Sequence, residues 1–166
     1  MNGMRTSRAR WNAVANQVMI TDNAVMQNEN MTFAMDTWGG YVAARTRLLE
    51  FLDEAKPSNP VFITGDIHSN WVADLKMNSR TVGTEFIGTS ITSGGDGSDA
   101  IPAGLYESNP NVKYFHNRRG YVRVAVTPSK WTSDYRAMPY VSRRDAPIET
   151  RASFVVESGR PGAKRG

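Results

Sequence analysis

The chain has 166 residues and no cysteine, so it is long enough for one domain with a real core, and disulfides, zinc–cysteine sites and thiol catalysis are excluded. Its hydrophobic content of 40% is typical of a globular protein, and no apolar run approaches the roughly 20 residues that span a bilayer. The net charge of +4 gathers in basic clusters around 5–10, 118–123 and 160–165. Such clusters are more often solvated surfaces than nucleic-acid sites, so we expect an anionic substrate rather than a nucleic-acid partner.

The first half of the chain alternates predicted strand, loop and helix. After an arginine-rich start without the apolar segment of a secretory signal, residues 11–20 are predicted to form a strand. Residues 21–37 are rich in Asn, Asp and Met and lack periodicity, which predicts a loop. Gly39-Gly40 precedes a helix predicted over 41–55, because apolar residues recur there at helical spacing, and Lys56-Pro57 ends it. Helix followed by strand is typical of α/β domains.

The most informative segment is an apolar, β-branched run over 61–64 that stops at Gly65 and is followed by Asp66 and His68. The run predicts a buried strand, and Gly65 lets the backbone turn sharply at the carboxyl end, where open α/β sheets place their chemistry. Asp66 offers a carboxylate oxygen and His68 an imidazole nitrogen, the mixture that hydrolytic metal centres use. Two alternatives stay open: Asp66 caps the following segment, and His68 is an ordinary surface histidine.

Predicted strands dominate the second half. Residues 71–76 are ambiguous, 84–92 have the β-branched content of a strand, and 93–99 form a flexible loop by composition. Further short extended runs follow at 112–115, 121–127, 131–140 and 152–156. The alternation in the second of these runs predicts a sheet with one wet face, to which Arg123 points.

Two polar clusters flank the segment 61–68. Asp36 lies among aromatic residues just before the predicted helix, where it is a metal ligand or, alternatively, a helix amino-terminal cap. The segment 109–121 mixes amides, a histidine and paired arginines with aromatic residues. Its simplest interpretation is a hairpin that turns at 117–120 and leaves the arginines in solvent.

Four blocks of the sequence, in this order and spacing, resemble the carboxyl-terminal part of PhoD-like alkaline phosphatases and phosphodiesterases. The resemblance covers roughly residues 10–157. The blocks are Asp36-x-Trp38-x-Gly40-Tyr41-x-x-x-Arg45; Asn59-Pro60-Val61 leading to Gly65-Asp66-Ile67-His68-Ser69-Asn70-Trp71; Thr84-Glu85-Phe86 with Thr89-Ser90-Ile91-Thr92-Ser93-Gly94-Gly95; and Asn109-Pro110 with Arg119-Gly120-Tyr121-Val122.

The resemblance implies an α/β, metallophosphoesterase-like fold, in which layered β-sheets are flanked by helices and a metal cluster lies at the strand ends. It implies hydrolysis of phosphate monoesters and diesters with divalent or trivalent metal ions, calcium and iron in well-studied members. Asp66 and His68 match the family's catalytic Gly-Asp-x-His ligand pair, and Asp36 matches an aspartate that is a ligand or supports one. Asn109 and Arg119, in the last matched block, are predicted to steer the phosphate of the substrate.

The sequence departs from the family in length. Family members are much longer, and their amino-terminal half carries the other metal ligands. We therefore predict one partial domain over 1–166, equivalent to the carboxyl-terminal half of such an enzyme, with a basic tail over 158–166. It is predicted to have weak or no activity until another chain supplies the amino-terminal half, and its unpaired strand edges favour oligomers.

An alternative function of a different class stays open at this point. It is a non-catalytic sheet domain whose basic loops bind an anionic partner. The cellular location is not predicted, since family members are commonly secreted or periplasmic whereas this sequence shows no export signal.

Overall fold

The computed structural model describes residues 1–27, 30–91 and 93–166, and its secondary structure is mainly β. None of the helices in these ranges is long and apolar enough to cross a membrane. The elements in chain order are helix α1 (Asn2–Thr6), strands β1 (Asn12–Ala15), β2 (Ala24–Gln27) and β3 (Asn30–Phe33), a 3₁₀ turn (Trp38–Gly40), helix α2 (Val42–Ala55), strands β4 (Pro60–Thr64), β5 (Asn70–Met77), β6 (Arg80–Ile87) and β7 (Gly97–Ser98), helix α3 (Leu105–Ser108), and strands β8 (Val112–Arg118), β9 (Gly120–Val126), β10 (Lys130–Ala137), β11 (Glu149–Glu157) and β12 (Arg160–Arg165).

Two sheets form the body of the molecule. The larger sheet has the strand order β1-β4-β6-β5-β8-β7, in which β1, β4 and β6 run parallel and the other pairs are antiparallel. The smaller sheet is antiparallel, in the order β12-β11-β10-β9, and β2 and β3 form a separate hairpin. The predicted fold class of layered sheets with flanking helices is confirmed, although helix is scarcer than a regular α/β alternation implies.

The two sheets pack face to face on a core of large apolar side chains. Val61 and Phe86 of the larger sheet and Tyr135 and Phe154 of the smaller sheet are each at most 3% exposed and belong to one cluster. The ring of Tyr114 lies 5.1 Å from that of Tyr135 and 5.4 Å from that of Phe154. Because burial of each such side chain contributes about 1.5–3 kcal/mol, this core holds the two layers together.

Helix α2 covers the other face of the larger sheet. Its residues Leu49 and Leu52 are buried in a cluster with Phe62 of β4 and Leu75 of β5. Apolar residues three apart lie on one face of a helix, so the periodicity that predicts this helix is also what attaches it to the sheet. The helix predicted over 41–55 is confirmed to within one residue.

The structure differs from the predictions for the amino-terminal region in two places. The strand expected over 11–20 is short, Asn12–Ala15, and Met19 and Ile20 are fully buried in the loop that follows it. These apolar side chains fill the core without being part of a strand. The loop expected over 21–37 contains the hairpin of β2 and β3, which has no periodic signal in its sequence.

The sequence leaves strand β5 ambiguous and predicts strand β6 with the wrong start and end. The segment 71–76 lies in β5, whose first six residues are all buried, and a strand buried on both faces has no alternation to reveal it. The strand expected over 84–92 starts at Arg80 and ends at Ile87. Residue Thr92 of that prediction lies outside the described residues.

The hairpin predicted to turn at 117–120 is wrong. Strand β8 pairs with β5 and β7 in the larger sheet, whereas β9 pairs with β10 in the smaller one, so the chain crosses between layers at Arg119. Gly120 is required at this crossing, because a Cβ atom there would lie 1.9 Å from the carbonyl oxygen of Arg136. The outward direction predicted for Arg123 is confirmed, since its side chain is 60% exposed.

The segment 158–166, expected as a basic tail, instead contains strand β12, which pairs with β11. Its attachment depends on Asp74 of the neighbouring sheet, which is buried and accepts the Ala163 N–H at 2.9 Å. Lys113 lies 2.5 Å from the Asp74 carboxylate and donates to the Ala163 carbonyl at 2.6 Å. A polar contact across the two sheets therefore orders a segment whose composition resembles a tail.

Candidate active site at the end of strand β4

The carboxyl ends of the parallel strands β1, β4 and β6 meet at one edge of the larger sheet. The loops after these strands are joined by backbone hydrogen bonds: Gly65 N–H donates to Gln17 O at 3.3 Å, and Gly88 N–H donates to Thr64 O at 3.0 Å. In sheets with parallel strands, this edge is where ligands bind. The residues that follow β4 therefore lie where a site is expected.

A strained turn carries Asp66 and His68. The Ile67 N–H donates to the Gly65 carbonyl at 2.9 Å across Asp66, whose φ of 72° makes this a γ-turn of the rare type. His68 also has a left-handed backbone, with a φ of 56°. Such residues cost on the order of 1–3 kcal/mol each and concentrate at functional sites. Both side chains are exposed, so the turn presents a carboxylate and an imidazole to solvent.

The backbone of His68 is fixed from two sides. Its carbonyl accepts hydrogen bonds from the Thr89 hydroxyl at 3.0 Å and from Nη1 of Arg119 at 2.8 Å. Its ring nitrogen Nε2 lies 3.4 Å from the hydroxyl of Ser93. Nη2 of Arg119 donates to the carbonyl of Gly94 at 3.2 Å. The site is thus formed by the turn after β4, the loop after β6 and the crossing to the smaller sheet.

The buried carboxylate of Glu85 supports this edge from inside. It accepts the backbone N–H groups of Ile20 and Thr21, each at 2.8 Å, and the hydroxyl of Thr64 at 2.9 Å. Burial raises the pKa of Glu85, and these hydrogen bonds oppose that rise. Glu85 therefore joins the loop after β1 to the last residue of β4, directly beneath the strained turn.

The composition of the acidic, glycine-rich loop over 93–99 predicts flexibility, but its carboxylates accept hydrogen bonds from other parts of the chain. Asp96 accepts the backbone N–H groups of Val141 and Ser142 at 2.7 and 2.8 Å, and the Ser142 hydroxyl at 2.9 Å. These hydrogen bonds lower the pKa of Asp96. The loop is attached to the segment that follows β10, which keeps it beside the turn.

Asp99, at the other end of the same loop, binds Arg118 and His116. Two guanidinium nitrogens of Arg118 lie 2.7 and 3.1 Å from its oxygens, and Nε2 of His116 lies 3.1 Å away. The bond to Arg118 is the main reason that the pKa of Asp99 falls to about 2. Burial lowers the pKa of His116, although Asp99 opposes this shift. These three side chains largely satisfy one another's hydrogen-bonding groups.

Comparisons with known proteins identify the family. Residues 1–135 match the sequence profile of the family described as PhoD-like phosphatase. The chain belongs to this family. It is 39% identical over 171 residues to alkaline phosphatase D of Bacillus subtilis (strain 168), a match that covers 99% of this chain and 29% of that protein. A solved structure described as the structure of PhoD superposes with a TM-score of 0.91 at 39% identity, covering 99% of this chain and 33% of that one. The chain thus spans about a third of the length of these relatives.

Within this PhoD-like chain, Asp36 lies in the segment that precedes helix α2. It is exposed, in the turn that precedes the 3₁₀ turn. It does not cap helix α2, whose cap position is Tyr41, or the 3₁₀ turn, whose cap position is Thr37. Across the residues that the structure describes, no group of three or more His, Asp or Glu side chains is arranged to hold a metal ion. Asp36 therefore forms no such group with Asp66 and His68.

Asn109 is part of the interior and not of the exposed site. Its side chain is 2% exposed; Oδ1 accepts the Ala24 N–H at 2.9 Å, and Nδ2 donates to the carbonyls of Ala24 and Leu105 at 2.8 Å each. An amide has two donor hydrogens and one oxygen, and all three are engaged. In the structure Asn109 therefore attaches the β2–β3 hairpin to helix α3, and its substrate-binding role stays a prediction.

Arg119 does lie at the site, as its sequence block implies, but its guanidinium binds two backbone carbonyls. Sequence reasoning missed the residues that shape the turn from behind, Glu85, Thr89 and Ser93. All three belong to the third matched block, Glu85 within strand β6 and the others after it, and that block is the one signal that pointed to them.

Asp66 and His68 fit a metal ion chemically but form an incomplete ligand set. A carboxylate oxygen and an imidazole nitrogen are suitable donors for hard and borderline cations. Protein metal sites nevertheless use at least three or four protein ligands, or retain several waters. The PhoD-like chain offers two exposed donors on one turn, so we assign no chemical step to a metal held by this chain alone.

Proposed function

We propose that this chain contributes part of the active site of a metal-dependent phosphoesterase that hydrolyses phosphate monoesters and diesters. The observation that carries the proposal is the strained turn after β4, which presents Asp66 and His68 at the sheet edge where parallel strands end. Membership of the PhoD-like phosphatase family supports the reaction class. The similar protein of Bacillus subtilis is named alkaline phosphatase D, which agrees with it.

In this proposal, Asp66 and His68 are metal ligands, and calcium and iron are the ions. Such ions, when bound, neutralise charge on the phosphate and provide a nucleophile at neutral pH. The residues of the chain itself hold the donors in place: the γ-turn aims the carboxylate of Asp66, and the carbonyl bonds of Thr89 and Arg119 fix the backbone of His68. The donors are therefore positioned before any ion arrives.

The remaining ligands are proposed to come from the part of the PhoD-like fold that this chain does not span. An open side of the sheet sandwich supports this idea. Strands β1 and β9 are edge strands of the two sheets, and the described residues pair with only one side of each. Trp11, next to β1, donates to the Thr127 carbonyl just after β9, so the two edges lie on the same side of the molecule.

Apolar side chains on the inner faces of β9 and of β4, the neighbour of β1, are uncovered. Val124 and Val126 are paired with the inward-facing Ser133 and Trp131 of β10, yet they are 38% and 48% exposed. Ile63 of β4 faces the same interior as Val61 but is 37% exposed. Core residues of this kind are normally covered, so we propose that a strand of the remaining PhoD-like fold adds to this side.

The test is reconstitution with chromogenic phosphate monoesters and diesters in the presence of calcium and iron. This chain is assayed alone and mixed with a separately produced polypeptide that covers the rest of Bacillus subtilis alkaline phosphatase D. We expect no turnover from the chain alone, turnover from the mixture, and its loss with Asp66→Ala. Glu149→Gln, on an exposed part of β11, is the matched control and should keep full turnover.

Two outcomes would contradict the proposal in different ways. Robust turnover by the chain alone, lost with Asp66→Ala, would show that no further polypeptide is needed. A mixture that forms a stable complex but turns over neither ester would contradict the phosphoesterase proposal itself.

The alternative of a non-catalytic domain that binds an anionic partner has less support. Arg118 is bonded to Asp99, and Arg160 and Lys164 both lie within 3.3 Å of Glu157, so several charges of the basic clusters are already paired. Strong, salt-dependent binding of nucleic acid by the chain would favour this alternative.

A further inference from the structure

Arg119 lies at the only position of the chain between strands β8 and β9, where the backbone passes from one sheet to the other. Its carbonyl accepts the Met138 N–H at 2.9 Å, and the following Gly120 N–H donates to Ser90 O at 3.2 Å. The main chain is thus anchored to both layers. A side chain that starts from so fixed a point can hold other groups in place.

The guanidinium of Arg119 joins two loops of the candidate site. Nη1 donates to the carbonyl of His68 at 2.8 Å, and Nη2 donates to the carbonyl of Gly94 at 3.2 Å. Ser93 precedes Gly94, and its hydroxyl lies 3.4 Å from Nε2 of the His68 ring. The distance between the two carbonyls therefore sets how the ring of His68 meets the hydroxyl of Ser93.

The turn at His68 needs such a connection because its own conformation is unfavourable. His68 has a left-handed backbone, and its side chain is exposed rather than packed. A planar guanidinium can bond two carbonyls at once with fixed geometry, whereas the ammonium of lysine is a point charge on a flexible stem. Arginine is thus suited to this position in a way that lysine is not.

We propose that Arg119 is a positioning residue, which orients the His68 imidazole and the Ser93 hydroxyl through two backbone carbonyls and does not bind the phosphate of the substrate. The consequence for turnover rests on the proposed function, whereas the orientation of His68 does not. This role differs from phosphate steering, in which the charge of the side chain would be its essential property.

The orientation is tested by NMR on the chain itself, without substrate. The sequence has two histidines, so a sample labelled with ¹³C at histidine gives ring signals from His68 and His116 only. We expect Arg119→Lys to shift or broaden the His68 signal and to leave the His116 signal unchanged. The control Arg123→Lys changes an exposed arginine of β9 that pairs with Asp134 of β10, and it should leave both signals in place.

Three NMR results would overturn the proposal. The first is an unchanged His68 signal in Arg119→Lys, and the second is an equal disturbance of both histidines, which indicates a general loss of structure. If Arg119→Lys does not fold, Ser93→Ala provides the third, since it leaves the guanidinium intact and removes the hydroxyl near the ring. A His68 signal that does not respond to Ser93→Ala shows that the loop does not orient the ring.

Kinetics in the reconstituted enzyme separate positioning from phosphate steering. Because misplacement of a catalytic group by about 1 Å costs on the order of a hundredfold in rate, positioning predicts a kcat lowered about 10- to 100-fold in Arg119→Lys with little change in KM. Steering predicts a raised KM in Arg119→Ala that Arg119→Lys largely restores, and that result would overturn the proposal. An inactive mixture would count against the proposed function, while the NMR result would still decide the role of Arg119.

Discussion

Two regions of the molecule combine a carboxylate with an imidazole, and they differ in how their polar atoms are used. The crossover cluster, Asp99, His116 and Arg118, is joined by three contacts of 2.7 to 3.1 Å. The turn cluster, Asp66 and His68, has exposed side chains, and no ion pair of Asp66 occurs within the described part of the chain. Residue types alone therefore do not mark a site. In the crossover cluster the carboxylate binds both of its neighbours, whereas the carboxylate and imidazole of the turn cluster remain exposed to solvent.

The backbone of the two clusters reflects the same difference. His116 lies in strand β8, where the ladder with β5 sets its conformation. His68 and Asp66 adopt left-handed conformations outside any ladder. Strain is tolerated in the turn cluster because Thr89 and Arg119 hold its carbonyl from both sides. The crossover cluster is structural by this criterion, whereas the turn cluster has the features expected of the ligand role proposed for it.

The largest expected difference between the clusters is in turnover by the reconstituted enzyme. Asp66→Asn keeps the shape of the side chain but removes the charge, so we expect kcat/KM to fall on the order of 10³-fold. Asp99→Asn should change it less than about tenfold, because its carboxylate serves structure. The measurement is steady-state kinetics on both esters, and a reversed order of the two variants would break the comparison.

The two substitutions should affect the free energy of unfolding in the opposite order. Asp99→Asn removes the charged partner of Arg118 and His116, and we expect a loss of about 1 kcal/mol after allowing for solvent screening of this exposed carboxylate. Asp66→Asn should change the free energy of unfolding by less than about 0.5 kcal/mol, because its side chain is exposed. Urea denaturation of the chain measures both values. Equal losses would show that the turn cluster is also structural.

The pH dependence of stability sharpens the same point. The pKa of Asp99 in the folded state is about 2, against an ordinary value of 3.8. Its contribution to the free energy of unfolding is therefore present above about pH 4 and is lost as the pH falls toward 2. Burial lowers the pKa of His116 below 6.5, so its contribution is present above pH 6.5 and is lost as the pH falls through the lowered value. We expect Asp99→Asn to flatten the acid limb of a stability–pH curve. An unchanged acid limb would contradict the pKa shift assigned to Asp99.

The smallest expected effect is weak binding of a paramagnetic cation to the chain alone. Two donors hold an ion poorly, so Mn²⁺ at high concentration should broaden the His68 ring signal and leave the His116 signal sharp. Asp66→Asn should remove the broadening. Equal broadening of both histidines in the unmodified chain would mean that the ion does not distinguish the two clusters.

Several elements were predictable because their signals are local. Helix α2 follows from apolar residues that recur at helical spacing, and strand β4 follows from a β-branched run that ends at Gly65. Strand β5 was not predictable, because it is buried on both faces and shows no alternation. Strand β12 was missed because its order depends on Asp74, which lies far away in the sequence.

The sequence by itself determined the family and the strand before Gly65, and it is the source of the prediction that Asp66 and His68 act as a pair. These are properties of neighbouring residues, which a short motif records. Only the tertiary structure decided that Asn109 is buried, that Arg119 holds two carbonyls and that one side of the sandwich is open. The physical reason is that a polar side chain has the same composition whether it binds a ligand or a distant carbonyl, and the fold alone chooses its partner.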